Sequence, residues 1–365
     1  MAATIRGVAG VYLSYPFCAQ KCTFCNFASG VMPRAIESRY REALAAELRA
    51  HVWGWRPETV YLGGGTPGNM APEALAELLG LVPGRPWAEA TIEAAPGGIT
   101  RERARAWAAA GINRVSLGVQ SFVEKEIRRA GRKHTAETVA GELAVLREAG
   151  IASCNIDLIA GLSGQSEASW RESLDWIARL APEHVSVYML EVDEDSRLGA
   201  EILRGGTRYG AAETPSDDQT AALYETAVER LAALGIPRYE ISNFARPGFE
   251  SRHNLKYWRL EPYAGFGADA HSFDGRVRRQ NPESVEEYLA GARGESTAAH
   301  LDEERFFVGL RLMSGIRPDP AEWRRFERPI RRFLDAGLLE TEDGALRLTH
   351  RGVLLSNEVF QDFIN

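Results

Sequence analysis

Long apolar runs are missing from this sequence. No stretch approaches the ~20 residues that a membrane span needs, and residues 1–20 show no basic start followed by an apolar block. A cytoplasmic protein with no membrane span is therefore expected. A basic surplus is missing as well. The 43 Lys and Arg against 50 Asp and Glu leave a formal net charge of −7, the wrong sign for a chain whose main task is gripping phosphates, and no nucleic-acid partner is expected. Cysteine is scarce, with 4 in 365 residues, and internal repeats and low-complexity segments are absent. In a reducing compartment clustered cysteines bind metal or do redox work more often than they form disulfides.

What is present is ordinary globular material, 45% hydrophobic and 25% charged, long enough for one large α/β domain and a smaller one. Short β-rich runs alternate with longer helical ones. "GVYLSY" (10–15), "ETVYLG" (58–63), "EATIEAA" (89–95), "NRVSLGVQ" (113–120), "ASCNIDLIAG" (152–161) and "HVSVYML" (184–190) read as strands. Between them, 34–52, 71–82, 100–111, 135–150 and 166–181 read as helices, with Gly111 and Gly150 as stops. Six βα units in a row imply parallel strands. Six is short of a full eight-unit barrel, so the expectation is α/β, an open three-quarter (β/α)6 barrel, although the period alone does not separate this from a flat doubly wound sheet.

Polar and glycine-rich residues gather at the C-terminal ends of these strands: Gly63 to Gly65, Glu93, Gln120 and Asp157. That rim is where parallel α/β folds bind ligands. Turns are polar and glycine-rich in any case, but four such groups on one rim favour a site.

The cysteines sharpen this reading. "SYPFCAQKCTFCNFASG" (14–30) holds Cys18, Cys22 and Cys25 at CxxxCxxC spacing, with no fourth cysteine or histidine nearby. Structural zinc sites are closed by four protein ligands, and here the fourth would have to come from far along the chain. Three thiolates on one loop suit a 4Fe–4S cluster with one iron left open to a small molecule. Spacing favours the cluster, with zinc as the alternative. Cys154, in a buried-looking strand, reads as a small hydrophobe.

The same loop, just after a first strand and with Phe24 before its last cysteine, resembles the radical SAM superfamily. That resemblance implies a cluster whose open iron chelates S-adenosylmethionine (SAM) and an electron donor whose electron cleaves SAM to a 5′-deoxyadenosyl radical. The cofactor supplies the chemistry and the protein its placement. "VYLGGGTP" (60–67), "TIEAAPG" (91–97), "RVSLGVQSF" (114–122), "GRKHT" (131–135) and "NIDLIAGLSGQS" (155–166) resemble, in order, the oxygen-independent coproporphyrinogen III oxidase-like branch. By that resemblance Tyr12, Phe24, Gly64, Gly65, Thr66, Glu93, Gln120, Arg132 and Asp157 surround SAM or a second small ligand beside it. Glycine fits there because backbone N–H groups must approach a carboxylate closely. Ala95, where the branch usually has asparagine, and Gly68, where it has serine or threonine, depart from the pattern.

Within the branch the oxidases carry a further cysteine two residues after the third, and a long N-terminal arm. Here that position is Phe27, and 17 residues precede Cys18. "SRHNLKYW" (251–258) instead resembles the HNxxYW signature of the HemW group of haem chaperones. The resemblance implies haem at His253, with Tyr257 and Trp258 as flat surface, and delivery to an acceptor protein. On chemistry alone the favoured reading is that His253 caps or packs inside a connector, and the resemblance reverses that preference. His271, in "GFGADAHSF" (265–273), follows a run resembling a segment near SAM. The other histidines, His51, His134, His184, His300 and His350, read as surface or structural.

The expected domains are a barrel core over 1–200, a connecting region carrying HNLKYW over 201–295, and a C-terminal, mainly helical, winged-helix-like domain over 296–365. In the last, 301–315 and 319–337 read as helices, the arginine-rich 322–333 as a solvated face, and 338–364 as a hairpin turning at Asp343-Gly344 before a final helix. The acidic hairpin argues against DNA. Three other functions remain open: a radical SAM C-methyltransferase-like enzyme, the coproporphyrinogen III oxidase itself, and a zinc-stabilised binding module.

Overall fold

The computed structural model describes residues 9–25 and 28–364; Phe27 lies outside them. Six strands, β1 (Ala9–Tyr15), β2 (Pro57–Gly64), β3 (Glu89–Ala94), β4 (Arg114–Gln120), β5 (Ser153–Ala160) and β6 (His184–Met189), lie side by side in chain order. Every neighbouring pair among them is parallel. Helices Arg34–Ala50, Pro72–Gly80, Arg101–Ala109, Ala136–Glu148 and Glu167–Leu180 connect the first six strands. Strands covered on both faces must be apolar on both: Ala9, Val11 and Leu13 are fully or almost fully buried, while Tyr12, on the other face, lines a cavity. Helix ends follow the glycines, with Gly111 and Gly150 at φ +96° and +87°, a conformation open to glycine at little cost.

The connecting region holds more sheet than its sequence promises. β7 (Asn243–Ala245) pairs antiparallel with β6. On the opposite side β8 (Tyr263–Phe266) pairs parallel with β1, and β9 (His271–Phe273), β10 (Val277–Gln280) and β11 (Glu295–Ala298) extend that edge. β11 lies just before the helices expected from 301 onward. The eleven-stranded sheet ends on β7 and β11 and stays open.

Helix Arg252–Trp258, which carries HNLKYW, plugs the floor of this sheet, at the N-terminal ends of its strands. Glu89, at the start of β3, accepts from the backbone N–H groups of Arg252 and His253, both at 2.9 Å. The site rim is at the other end of the strands.

In the C-terminal part, helices Leu301–Gly309, Pro320–Arg325 and Glu327–Asp335 precede the hairpin of β12 (Leu339–Glu342) and β13 (Ala345–Leu348). Asp343 and Gly344 turn it at φ +49° and +77°, as a two-residue hairpin requires. Phe306, Phe326 and Phe363 pack together as its core. Arg324, Arg325, Arg328, Arg331 and Arg332 are exposed, a solvated face. Among the described residues no helix is long and apolar enough to cross a membrane.

Candidate functional site

A cavity of about 570 Å³ opens at the C-terminal ends of β1 to β6. Its wall includes Cys18, Cys22, Cys25 and Phe24 from the loop after β1, and Gly64, Gly65 and Thr66 from the end of β2. Glu93, Gln120, Arg132 and Asp157 complete it, with Tyr12 from β1. The structure therefore brings together every site position read from the sequence except His253.

Backbone bonds fix the cysteine loop. Cys18 N–H donates to Gly30 O at 2.9 Å, Gly30 N–H to Pro16 O at 3.0 Å, and Thr66 N–H to Phe17 O at 2.9 Å. Gly65 has a different reason from the one its motif implies. A Cβ there would stand 2.6 Å from Tyr15 O and 2.7 Å from Phe17 N, so glycine lets the β2 turn lie against the chain entering the cysteine loop. Gly64, at φ +95°, supplies the left-handed turn beside it. Leu198 N–H donates to Thr23 O at 2.8 Å, and Arg197 bonds Lys21 O. Helix Arg197–Leu203 thereby covers the loop from the far side, a contact that no motif announced.

The donor set fits a cluster. None of the three cysteines is in a disulfide, and all are partly exposed. Arg132 Nε lies 3.2 Å from Cys22 Sγ and Thr66 Oγ1 3.7 Å from Cys18 Sγ, so two of the sulfurs are oriented by polar side chains outside their own loop. Arg132 Nη1 is fixed by Gly118 O at 2.6 Å. Among the described residues no three His, Cys, Asp or Glu side chains converge as the ligands of one metal ion would. A structural zinc site is closed by four protein ligands, whereas a 4Fe–4S cluster held by three thiolates leaves one iron open to a small molecule.

Deeper in, two carboxyl groups share the wall. Tyr61 donates to Glu93 Oε1 at 2.8 Å. Burial, reinforced by Asp157 and opposed by that hydrogen bond, pushes the Glu93 carboxyl up to about 7. Burial also raises Asp157, which accepts from Asn155 Nδ2 at 2.6 Å and Ser116 Oγ at 3.1 Å. Asn155 Oδ1 in turn lies 2.6 Å from His184 Nδ1. An amide oxygen only accepts, so the His184 proton is on Nδ1. Gln120 ends β4 at φ +72° beside a register shift, the local bulge that aims its side chain into the cavity. Tyr188 and Met189 of β6 also line the cavity; the sequence marked them only as a strand.

His253 stands apart from all this. It is 0% exposed, with Nδ1 2.8 Å from Thr59 Oγ1 and Nε2 2.8 Å from Tyr257 Oη. A Cβ on Gly10 would stand 3.1 Å from the ring. In this arrangement both ring nitrogens are engaged, and neither offers iron a free lone pair. The packing alternative weighed for this residue describes its placement. His271 is exposed on β9, while its neighbours Ala268 and Asp269 line the cavity. Cys154 is fully buried, and desolvation pushes its thiol up to about 12. His134 is buried as well, and burial with the Arg132 charge pushes its imidazole down to about 4.

Comparison with known proteins agrees with this geometry. The radical SAM superfamily matches residues 12–177, and the HemN C-terminal domain matches residues 297–355. A protein of Bacillus subtilis named "Heme chaperone HemW" is 33% identical, covering 97% of this chain and 98% of its own length. One of the same name from Mycobacterium tuberculosis is 35% identical over 97% of this chain and 94% of its own. In three dimensions the chain is similar to coproporphyrinogen III oxidase (HemN) from Escherichia coli, with a TM-score of 0.83 at 24% identity, covering 98% of this chain and 90% of that one. This likeness shows the shared α/β fold. Three cysteines on one wall, a glycine turn beside them and near end-to-end similarity place this chain in the HemW family of the radical SAM superfamily.

Proposed function

We propose that this protein binds haem and delivers it to an acceptor protein in the cytoplasm, using a cluster reduced by an electron donor. The observation that carries this reading is similarity over 97% of the chain to relatives named haem chaperones, joined to a cavity that keeps the family's cysteine loop. Cys18, Cys22 and Cys25 would hold the 4Fe–4S cluster, and Gly64, Gly65, Thr66, Glu93, Gln120, Arg132 and Asp157 would surround SAM. When bound, this pair supplies one-electron cleavage of a sulfonium C–S bond. The chain's own part is placement and proton control. Arg132 and Thr66 steady the thiolates, the glycine turn holds the loop against β2, and Glu93 keeps an exchangeable proton near neutral pH.

The haem contact is not read from HNLKYW as it stands, because iron could reach His253 only after Thr59 and Tyr257 released its ring. The oxidase reading has less support: Phe27 replaces the further cysteine. The test is to add haem anaerobically to the cluster-loaded protein, then mix it with a haem-free acceptor. Stoichiometric binding followed by loss of haem to the acceptor is expected. A protein that takes up no haem, yet releases carbon dioxide from coproporphyrinogen III or methylates a substrate with SAM, overturns the proposal.

A further inference from the structure

The histidine of HNLKYW has a partner that ligand reasoning leaves unused. Its Nε2 lies 2.8 Å from Tyr257 Oη. A second hydrogen-bonded phenol stands at the cavity wall, where Tyr61 donates to the Glu93 carboxyl at 2.8 Å. The rings between the two pairs are in contact. Tyr61 stacks on His253, with centroids 5.3 Å apart and planes at 28°. Tyr12, on the cavity wall, stacks over Tyr61 at 6.1 Å and 25°. An aromatic column thus joins the cavity at the top of the sheet to the plug at its floor, with a phenol hydrogen-bonded to a carboxyl at one end and to an imidazole at the other.

This pairing has a chemical use. A phenol that loses an electron becomes a very strong acid, so a buried tyrosine is readily oxidised only where a base takes its proton at once. Burial holds the Tyr61 and Tyr257 phenols protonated. Burial, with Lys256 nearby, pushes His253 down to about 3, so the imidazole is neutral and one ring nitrogen carries a lone pair. With the proton on Nδ1, toward Thr59, Nε2 accepts from Tyr257.

We infer that Tyr257, with His253 as its proton acceptor, is a redox-active tyrosine that takes up the oxidising equivalent of a carbon-centred radical in the cavity, through Tyr12 and Tyr61. The balance closes within the site. The radical gains one electron from Tyr257 and a proton from the neutral Glu93 carboxyl, forming a C–H bond. Tyr257 loses its O–H bond, becoming a neutral phenoxyl radical, and its proton moves to His253. The products are R–H, phenoxyl, imidazolium and the Glu93 carboxylate, so net charge is unchanged. The column ends at Tyr257. The Arg311 guanidinium lies 4.4 Å from the Trp258 ring centroid, and a cation there opposes removal of an electron from that ring. Tyr263, with its ring 4.6 Å from that of Tyr257, accepts from the Arg278 guanidinium at 3.1 Å, and among the described residues its phenol donates to no base. The inference rests on radical SAM membership and not on the haem reading.

The test delivers the oxidant from outside, so its outcome does not depend on SAM cleavage. Cluster-loaded protein is photo-oxidised with flash-quenched ruthenium tris-bipyridine, frozen, and measured by electron paramagnetic resonance. Wild type should give a tyrosyl signal that loses a proton coupling on exchange into D2O, as the hydrogen bond to His253 requires. Tyr257→Phe and His253→Gln should each lower the tyrosyl yield at least threefold, while Trp258→Phe leaves it unchanged. A wild-type signal insensitive to D2O, or an equal yield and line shape in Tyr257→Phe, overturns the inference. The D2O measurement needs no variant, so a signal insensitive to D2O overturns the inference even if the substitutions disturb folding.

Discussion

Replacing Glu93 by Gln isolates what its buried carboxyl does to the protein. Glu93 rises from an ordinary 4.5 to about 7. A raised carboxyl pKa means that the folded state holds a proton the unfolded chain has already released. Between pH 4.5 and about 7 the folded state therefore binds more protons, and its stability falls as pH rises. Each unit of difference corresponds to 1.36 kcal/mol, so the penalty grows from near zero at pH 4.5 to about 3 kcal/mol above pH 7. That figure is an upper value, because Glu93 lines a cavity that admits water. Glutamine keeps an oxygen for Tyr61 and carries no charge, so the variant escapes the penalty. The assay compares thermal midpoints of the two SAM-free proteins at pH 5 and pH 8, other titrations cancelling in the difference. The midpoints should nearly coincide at pH 5, and the variant should melt a few degrees higher at pH 8. An equal gap at both pH values, or wild type gaining on the variant as pH rises, refutes the reasoning.

Two further substitutions test the placement of the motifs. Gly65→Ala pushes a methyl group against Tyr15 O and Phe17 N, so iron content after reconstitution should fall together with SAM affinity. Full cluster content with only SAM lost would show that the glycine serves the ligand alone. His253→Ala leaves a hole at the floor and strips Thr59 and Tyr257 of their partner, at a cost of about 2–5 kcal/mol. Its thermal midpoint should drop, and added imidazole should not restore any haem spectrum that is lost. Rescue by imidazole would identify the ring as an iron ligand after all.

Much of the rim was legible in the sequence, because parallel strands put their C-terminal residues on one edge wherever they occur. Six strand-like runs fixed where Gly64, Glu93, Gln120 and Asp157 had to meet, and a loop of three cysteines fixed the wall beside them. The edges of the sheet were less legible. β7 to β11 span three to four residues each, too short for alternation to stand out against loop. His253 illustrates a different limit: HNLKYW is equally compatible with an exposed ligand and a buried strut. Contacts with Thr59 and Glu89, more than 160 positions earlier in the chain, decide its placement, and no local pattern carries such partners. Tyr188 and Met189 were missed because a strand signal does not say which face meets a cavity.

Every role proposed for the cavity depends on the cysteine loop holding a cluster with one corner open toward it. The direct measurement is electron paramagnetic resonance of the anaerobically reconstituted, reduced protein, with and without SAM, alongside iron and sulfide analysis. The expected result is about four irons and four sulfides per chain, a cluster signal that shifts when SAM binds, and loss of both in Cys22→Ala. Stoichiometric zinc without acid-labile sulfide, or a cluster whose signal ignores SAM, would contradict it.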